Sequence, residues 1–227
     1  MFAEEPTWLH EAYESSIADQ DIGLIGRNVR LSAATQLIAR SVFPGAERFV
    51  DFGAGTGMFV RMMRDAGYDF RYVDPHGPNL YAKTFEVEDG VDSFQADVVT
   101  AFEVLEHLVD PVATLAPVIR GAVGLIATTE LLPDPPPSPE QWWYYSLSTG
   151  QHVTFFTEKA MGVLAERLGM RSYSSRNLHV LARHRISKTA VRAAAHHRIA
   201  GMMALLRTRQ TLLDGDYERL TGERFRR

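Results

Sequence analysis

Residues 50–57 read Val50-Asp51-Phe52-Gly53-Ala54-Gly55-Thr56-Gly57, and this stretch decides the fold. The short apolar run Phe49-Val50 ends in an acid. Glycines then fall at every second position, and an apolar, basic stretch from Met58 to Arg64 follows. A strand that ends in a carboxylate, turns through glycines and enters a helix is a nucleotide-binding turn. Glycine accepts positive φ and lets a backbone approach a ligand closely. The helix N-terminus adds N–H groups without intrahelical partners.

Outward from this turn the chain alternates strands and helices. Upstream, 8–20 and 28–42 read as helices, the second from Leu31, Ala34, Leu37 and Ile38 at helical spacing, and Pro44-Gly45 breaks the chain. Arg48–Asp51 is the first strand and Gly57–Ala66 the first crossover helix, stopped by Gly67. Phe70–Asp74 is the second strand and Ala96–Phe102 the next. Pro111–Gly121 is a helix opened by Asp110-Pro111, and Ala122–Thr128 a nearly all-apolar strand of the kind covered on both faces. Leu132–Pro139 carries five prolines and is an extended loop. Thr157–Leu168 is a helix with Thr157 as N-cap, Asn177–Ala182 a last strand, and 187–213 a long helix or helix pair. This rhythm predicts an α/β fold with a doubly wound, mostly parallel sheet and helices on both faces. It divides the chain into an N-terminal helical segment (1–45), a ligand-binding domain (46–183) and a basic C-terminal helical extension (184–227).

The glycine spacing selects the ligand. A dinucleotide fingerprint needs its third glycine where Met58 stands. Pyrophosphate is also poorly matched to Asp51, whereas a carboxylate at the strand end suits a cationic group. Asp51 to Gly57 resembles the first motif of the class I S-adenosylmethionine-dependent methyltransferases. Three further stretches share the resemblance. Tyr72-Val73-Asp74-Pro75 ends the second strand in an acid suited to ribose hydroxyls, a device that nicotinamide enzymes share. Asp97 to Leu108, containing Phe102-Glu103-Val104-Leu105-Glu106-His107, is similar to the fourth strand and following turn of UbiG-like small-molecule methyltransferases. Trp142-Trp143-Tyr144-Tyr145 with Gly150-Gln151-His152 resembles a bacterial methyltransferase subfamily. The resemblance covers roughly residues 8–182.

The resemblance implies a Rossmann-like methyltransferase sheet with S-adenosyl-L-methionine as cofactor. It places Asp51, Gly53, Ala54, Gly55, Gly57, Asp74, Pro75, Phe102 and Glu103 at the cofactor. It implies a small-molecule methyl acceptor: a sugar, a glycan precursor or a secondary metabolite. One departure stands out. Only about twenty residues separate Asp74 from Ala96, too few for a full crossover and strand, so the usual third strand, with its adenine-contacting acid, is truncated or absent. Adenine then falls to Phe94, Gln95, Ala96 or Asp97, or to residues 76–81.

Methyl transfer is an in-line displacement in which the protein aligns the nucleophile. A hydroxyl or carbon acceptor also needs a base, for which histidine is suited. His152 is the first candidate and His107 the second, with Tyr144 or Tyr145 orienting the acceptor; of the two, Tyr145 is assigned. Each residue has a plainer reading. Asp51 is alternatively a helix cap, Asp74 a turn former, and Glu106-His107 a helix start. Trp142 and Trp143 serve as core anchors, and His152 as a satisfied buried histidine. The alternatives in function are a nicotinamide-dependent oxidoreductase or epimerase, and a non-catalytic module that keeps the fold.

Composition bounds the rest. The chain has 227 residues, 45% apolar and 23% charged, as in ordinary globular domains. It has no cysteine, which excludes disulfides, thiolate catalysis and Cys-ligated zinc; no metal is assigned. The acidic start Met1-Phe2-Ala3-Glu4-Glu5 and the short apolar runs give neither a signal peptide nor a membrane span, and a cytoplasmic location is expected. The net charge of −4 divides into −11 over residues 1–182 (13 basic, 24 acidic) and +7 over 183–227 (11 basic, 4 acidic). The basic tail is expected to pack on the acidic body rather than on nucleic acid, for which no motif is present. The stripe Ile199, Met202, Met203, Leu205 and Leu206 fits core packing or a homodimer through the C-terminal helix.

Overall fold

The computed structural model describes residues 22–87, 94–206 and 209–225. The helix expected at 8–20 lies outside the described residues. The first described helix, α1 (Leu24–Ser41), leads to β1 (Arg48–Phe52), α2 (Met58–Asp65) and β2 (Asp69–Val73). Next come β3 (Val98–Phe102), α3 (Pro111–Val118), β4 (Gly124–Thr128), α4 (Glu158–Arg167), β5 (Arg171–Ser175) and β6 (Leu178–Ala182). Three helices close the chain: α5 (Lys188–Ala195), α6 (His197–Ala204) and α7 (Leu213–Thr221).

The strands form one sheet in the order β2-β1-β3-β4-β6-β5. β1 pairs in parallel with β2 and β3, and β3 with β4; β6 pairs antiparallel with β4 and β5. The doubly wound, mostly parallel Rossmann-like sheet expected from the sequence is therefore present. Both faces are buried, and neighbouring residues divide between them because side chains alternate along a strand. Phe49, Val98, Ile126 and Val180 face a core shared with α1, α2, α5 and α6. Val50, Val99, Leu125 and Leu181 face a second core shared with α3 and α4.

Local chemistry sets the helix ends. Asp110 and Thr157 accept N–H bonds from Ala113 and Ala160 and so cap α3 and α4. α3 ends at Val118, short of the expected Gly121, with Pro117 in its last turn. The 187–213 segment is a pair broken at His196, which sits in extended backbone between α5 and α6. Two features lie beyond the sequence reading: α7, and the half-exposed edge strand β5. Beside β2, the backbone of residues 85–87 makes a single parallel bridge, with Tyr72 N–H donating to Phe85 O and Val87 N–H to Tyr72 O. This fragment stands where the truncated third strand was expected. No helix among the described residues is long and apolar enough to cross a membrane.

Candidate active site

β1 sends the chain to β2 on one side, and β3 lies on the other, so the strand order reverses at the carboxyl ends of β1 and β3. Ligands of open α/β sheets bind in that crevice. Asp51 stands there opposite Thr100 in the parallel register, on the same face of the sheet. Thr100 Oγ1 donates to Asp51 Oδ1 at 2.5 Å. Asp51 is only 4% exposed, and burial pushes its carboxyl up to about 7, against the opposing hydrogen bond from Thr100. A buried carboxylate without a basic partner stays partly protonated until a cation arrives.

The glycine turn is built around positive φ at Gly53 (73°), Gly55 (54°) and Gly57 (79°). The three are not equivalent. A Cβ on Gly53 would lie 2.4 Å from Val104 Cγ2, and one on Gly57 2.8 Å from Ala82 Cβ, whereas one on Gly55 would enter open space. Gly53 and Gly57 are therefore needed for packing, and Gly55 leaves a cradle over the strand end. Residues 76–82 fold across the turn: Leu80 and Tyr81 N–H donate to Thr56 O, and Tyr72 Oη donates to Gly55 O and Gly77 O. Asp74 Oδ2 accepts the Gly55 N–H, and Oδ1 accepts those of His76 and Gly77. Three backbone donors thus occupy the Asp74 carboxylate and tie Pro75 and the next turn to the glycine loop. This leaves Oδ2 as the better-placed acceptor for a further hydroxyl.

At the end of β3, Phe102 packs edge-on against Phe59 at 4.9 Å, and Glu103 takes φ +53°, an unusual conformation for a residue other than glycine. Glu103 N–H donates to Thr128 O and Oγ1. The turn projects Glu106 and His107, in a single 3-10 turn (Leu105–His107), toward the long loop after β4. Val153 and Thr154 N–H both donate to Glu106 O, which brings His152 alongside. The His107 and His152 rings meet edge to face at 4.9 Å. His107 Nδ1 contacts Gln151 O at 3.1 Å and His152 Nδ1 contacts Tyr144 O at 2.6 Å. A carbonyl only accepts, so both Nδ1 atoms carry the proton and both Nε2 atoms carry a lone pair.

Glu106 is fully buried. Tyr144 Oη donates to its Oε1 at 2.6 Å, and Oε2 has no hydrogen-bond partner among the described residues. Burial and the neighbouring Glu103 push the Glu106 carboxyl well above the usual carboxylate range. Burial, with His152 nearby, lowers His107 to about 4; burial also lowers His152.

The structure thus brings His107 and His152 together across 45 residues of sequence. It does not place Tyr145 with them in the same way. The Tyr145 hydroxyl donates to Pro137 O, and its ring packs on Trp142 and Phe155. Tyr144 instead touches Glu106 and the His152 ring (4.6 Å). Adjacent tyrosines in a loop have no periodicity to tell them apart. Among the residues offered for adenine, Asp97 is corrected. Its carboxylate accepts from the Glu47 and Arg48 N–H groups and the Arg48 guanidinium, at the start of β1 and the opposite end of the sheet. Ala96 is buried in the second core. Of the two segments offered, 76–81 borders the glycine turn.

Comparison with known proteins fits this geometry. A family model described as a methyltransferase domain matches residues 26–175. The chain belongs to that family, within the class I S-adenosylmethionine-dependent methyltransferases. The match covers the domain as a whole and does not single out the UbiG-like or Trp/Tyr-loop branches. Human N-acetylserotonin methyltransferase, solved with S-adenosylmethionine, superposes with a TM-score of 0.57 at 16% identity, over 82% of this chain and 61% of that one. PigF, solved with S-adenosylhomocysteine, gives 0.55 at 16%, over 79% and 62%. A Thermotoga maritima S-adenosylmethionine-dependent methyltransferase gives 0.54 at 14%, over 78% and 99%. The chain spans about three fifths of the length of the first two. No curated protein sequence matches it. Family membership sets aside the nicotinamide-dependent alternative.

Proposed function

We propose that the chain is an S-adenosylmethionine-dependent methyltransferase acting on a small-molecule acceptor, in the range of sugars, glycan precursors and secondary metabolites. The observation that carries this reading is the buried Asp51 carboxylate at the end of β1, followed by a turn with open space beside Gly55. A ligand with a cationic amino-acid end and no phosphate matches both. When bound, S-adenosylmethionine supplies the activated methyl group. Asp51 meets the ligand's positive charge, Gly53 and Ala54 shape the turn, and Gly55 gives it room to approach. Asp74 Oδ2 and the turn at Pro75 lie on the ribose side, and Phe102 and Glu103 floor the site at the end of β3. The acceptor sits against the Nε2 edges of His152 and His107, oriented by Tyr144, with Tyr145 and Trp142 holding the loop above it. His152 or His107 removes the acceptor's proton.

Calorimetric titration with S-adenosylhomocysteine tests the reading. The wild-type protein is expected to bind, Asp51→Asn to lose about tenfold or more through the missing charge-assisted contact, and Gly55→Ala to lose affinity by filling the cradle. Absence of binding by the folded wild-type protein, or wild-type affinity in both variants, would overturn it.

A further inference from the structure

Three features of the cluster at Glu106 remain unexplained by methyl-donor binding. Glu106 Oε2 is buried without a hydrogen-bond partner among the described residues, although such an atom ordinarily costs stability. The imidazoles of His107 and His152 both meet backbone carbonyls through Nδ1, which places the proton there and the lone pair on Nε2 in each neutral ring. Glu103 adds negative charge nearby, lying close enough to act on Glu106, Tyr144 and His152. One ligand atom from each of Glu106, His107 and His152 lies within 4.8 Å of the others.

We infer that Glu106 Oε2, His107 Nε2 and His152 Nε2 form a site for a divalent first-row transition-metal ion. Each observation has a counterpart in such sites. A ligating histidine gives its other ring N–H to a carbonyl or carboxylate, which fixes the tautomer, and a ligating carboxylate is itself hydrogen-bonded. Tyr144 donates that second bond to Glu106 Oε1 and, its one hydroxyl proton being used there, accepts from Thr129 Oγ1. Two imidazoles and one carboxylate suit zinc, iron, cobalt or manganese, whereas magnesium and calcium prefer an all-oxygen shell. Ligand atoms around a tetrahedral ion at ~2.1 Å stand ~3.4 Å apart, so binding draws the three side chains together by about an ångström. Three protein ligands leave coordination positions open for a substrate oxygen.

The role of the ion rests on the methyltransferase reading; the binding of the ion does not. At this site a dication selects an acceptor that offers a hydroxyl oxygen. Held there, the hydroxyl becomes more acidic and its proton leaves to solvent. The new O–CH3 bond then forms as the S–CH3 bond breaks, and the sulfonium becomes a neutral thioether. Both imidazole lone pairs are then given to the ion, so in this form neither histidine takes the proton itself.

The test uses tag-free full-length protein stripped of metal with a chelator and titrated with Co2+, followed by its visible absorption, and with Zn2+ by calorimetry. One equivalent is expected to bind the wild type. Binding should weaken about tenfold or more in His152→Ala and in Glu106→Gln. S-adenosylhomocysteine titration and thermal melting of the same samples report on folding and on the cofactor site independently. Metal binding without S-adenosylhomocysteine binding would uphold the metal site and overturn the cofactor reading. Equal Co2+ and Zn2+ affinity in the wild type and in the folded His152→Ala and Glu106→Gln variants, or no binding by the folded wild type, would overturn the metal site.

Discussion

Asp51 couples ligand binding to pH. Its folded value, about 7, lies above its ordinary value of 3.8. A carboxyl raised in the folded state favours folding most below the unfolded value, and that contribution is lost as pH rises from about 4 to about 7. A cationic ligand reverses the preference, because it needs the ionised form. The affinity for S-adenosylhomocysteine is therefore expected to rise about tenfold from about pH 6 to about pH 8. Asp51→Asn should flatten both the ligand profile and the stability profile. Calorimetry at the two pH values checks this, and a flat wild-type profile would contradict it. At this scale the sequence was informative wherever chemistry followed chain order. The glycine turn, Asp51 and the Glu103–His107 run could be read from adjacent residues. The pairing of Tyr144 with Glu106 could not, because it spans 38 positions and depends on how the loop after β4 returns.

Among the elements, the most revealing contact joins α2, β2 and α7. Arg64 is buried in α2 with its guanidinium 3.9 Å over the Phe85 ring. It donates to both oxygens of Asp216 on α7, to Asp69 at the start of β2 and to Phe70 O, while Arg61 also reaches Asp216. Burial pushes Asp216 upward, but its hydrogen bonds with Arg64 and Arg61 outweigh this and hold it below its ordinary value. The stability it contributes is present above the ordinary carboxylate range and is lost as pH falls through its depressed folded value. Asp216→Asn leaves a buried guanidinium with less compensation, and a loss of about 3 kcal/mol is expected in denaturant unfolding. A loss below about 0.5 kcal/mol would show that α7 docks through other contacts. The major elements were legible in sequence because their apolar runs are buried on two faces. β5 was not: Arg171-Ser172-Tyr173-Ser174-Ser175 lies at the sheet edge and needs no apolar run. α7 was missed because what holds it is an ion pair 152 positions away in sequence.

For the molecule as a whole, the basic tail packs on the acidic body, but its contacts are mixed in kind. Arg209 lies over the Tyr68 ring at 4.6 Å and donates to Ala46 O, while Asp216, one of the tail's acids, meets two arginines of the body. In return, Arg40 of α1 donates to Met203 O and Leu206 O at the end of α6. Val191, Ala194 and Ala200 belong to the same core cluster as Leu37, Ile38 and Phe49. We propose that the described parts of the three segments marked out by the sequence unfold as one unit. A single calorimetric transition is expected, and a chain ending at residue 183 should lose it. Two separable transitions in the full chain would contradict this.

The strand order also has a consequence for synthesis on the ribosome. β5 emerges before β6 but lies outside it, so β5 has no sheet partner until residues 178–182 have been made. The parallel half, β1 to β4, contains the glycine turn and needs no later strand for its own pairing. Vectorial synthesis therefore lets the parallel half, with its glycine turn, pair first. The antiparallel hairpin then closes the exposed edge of β4 during the last part of translation.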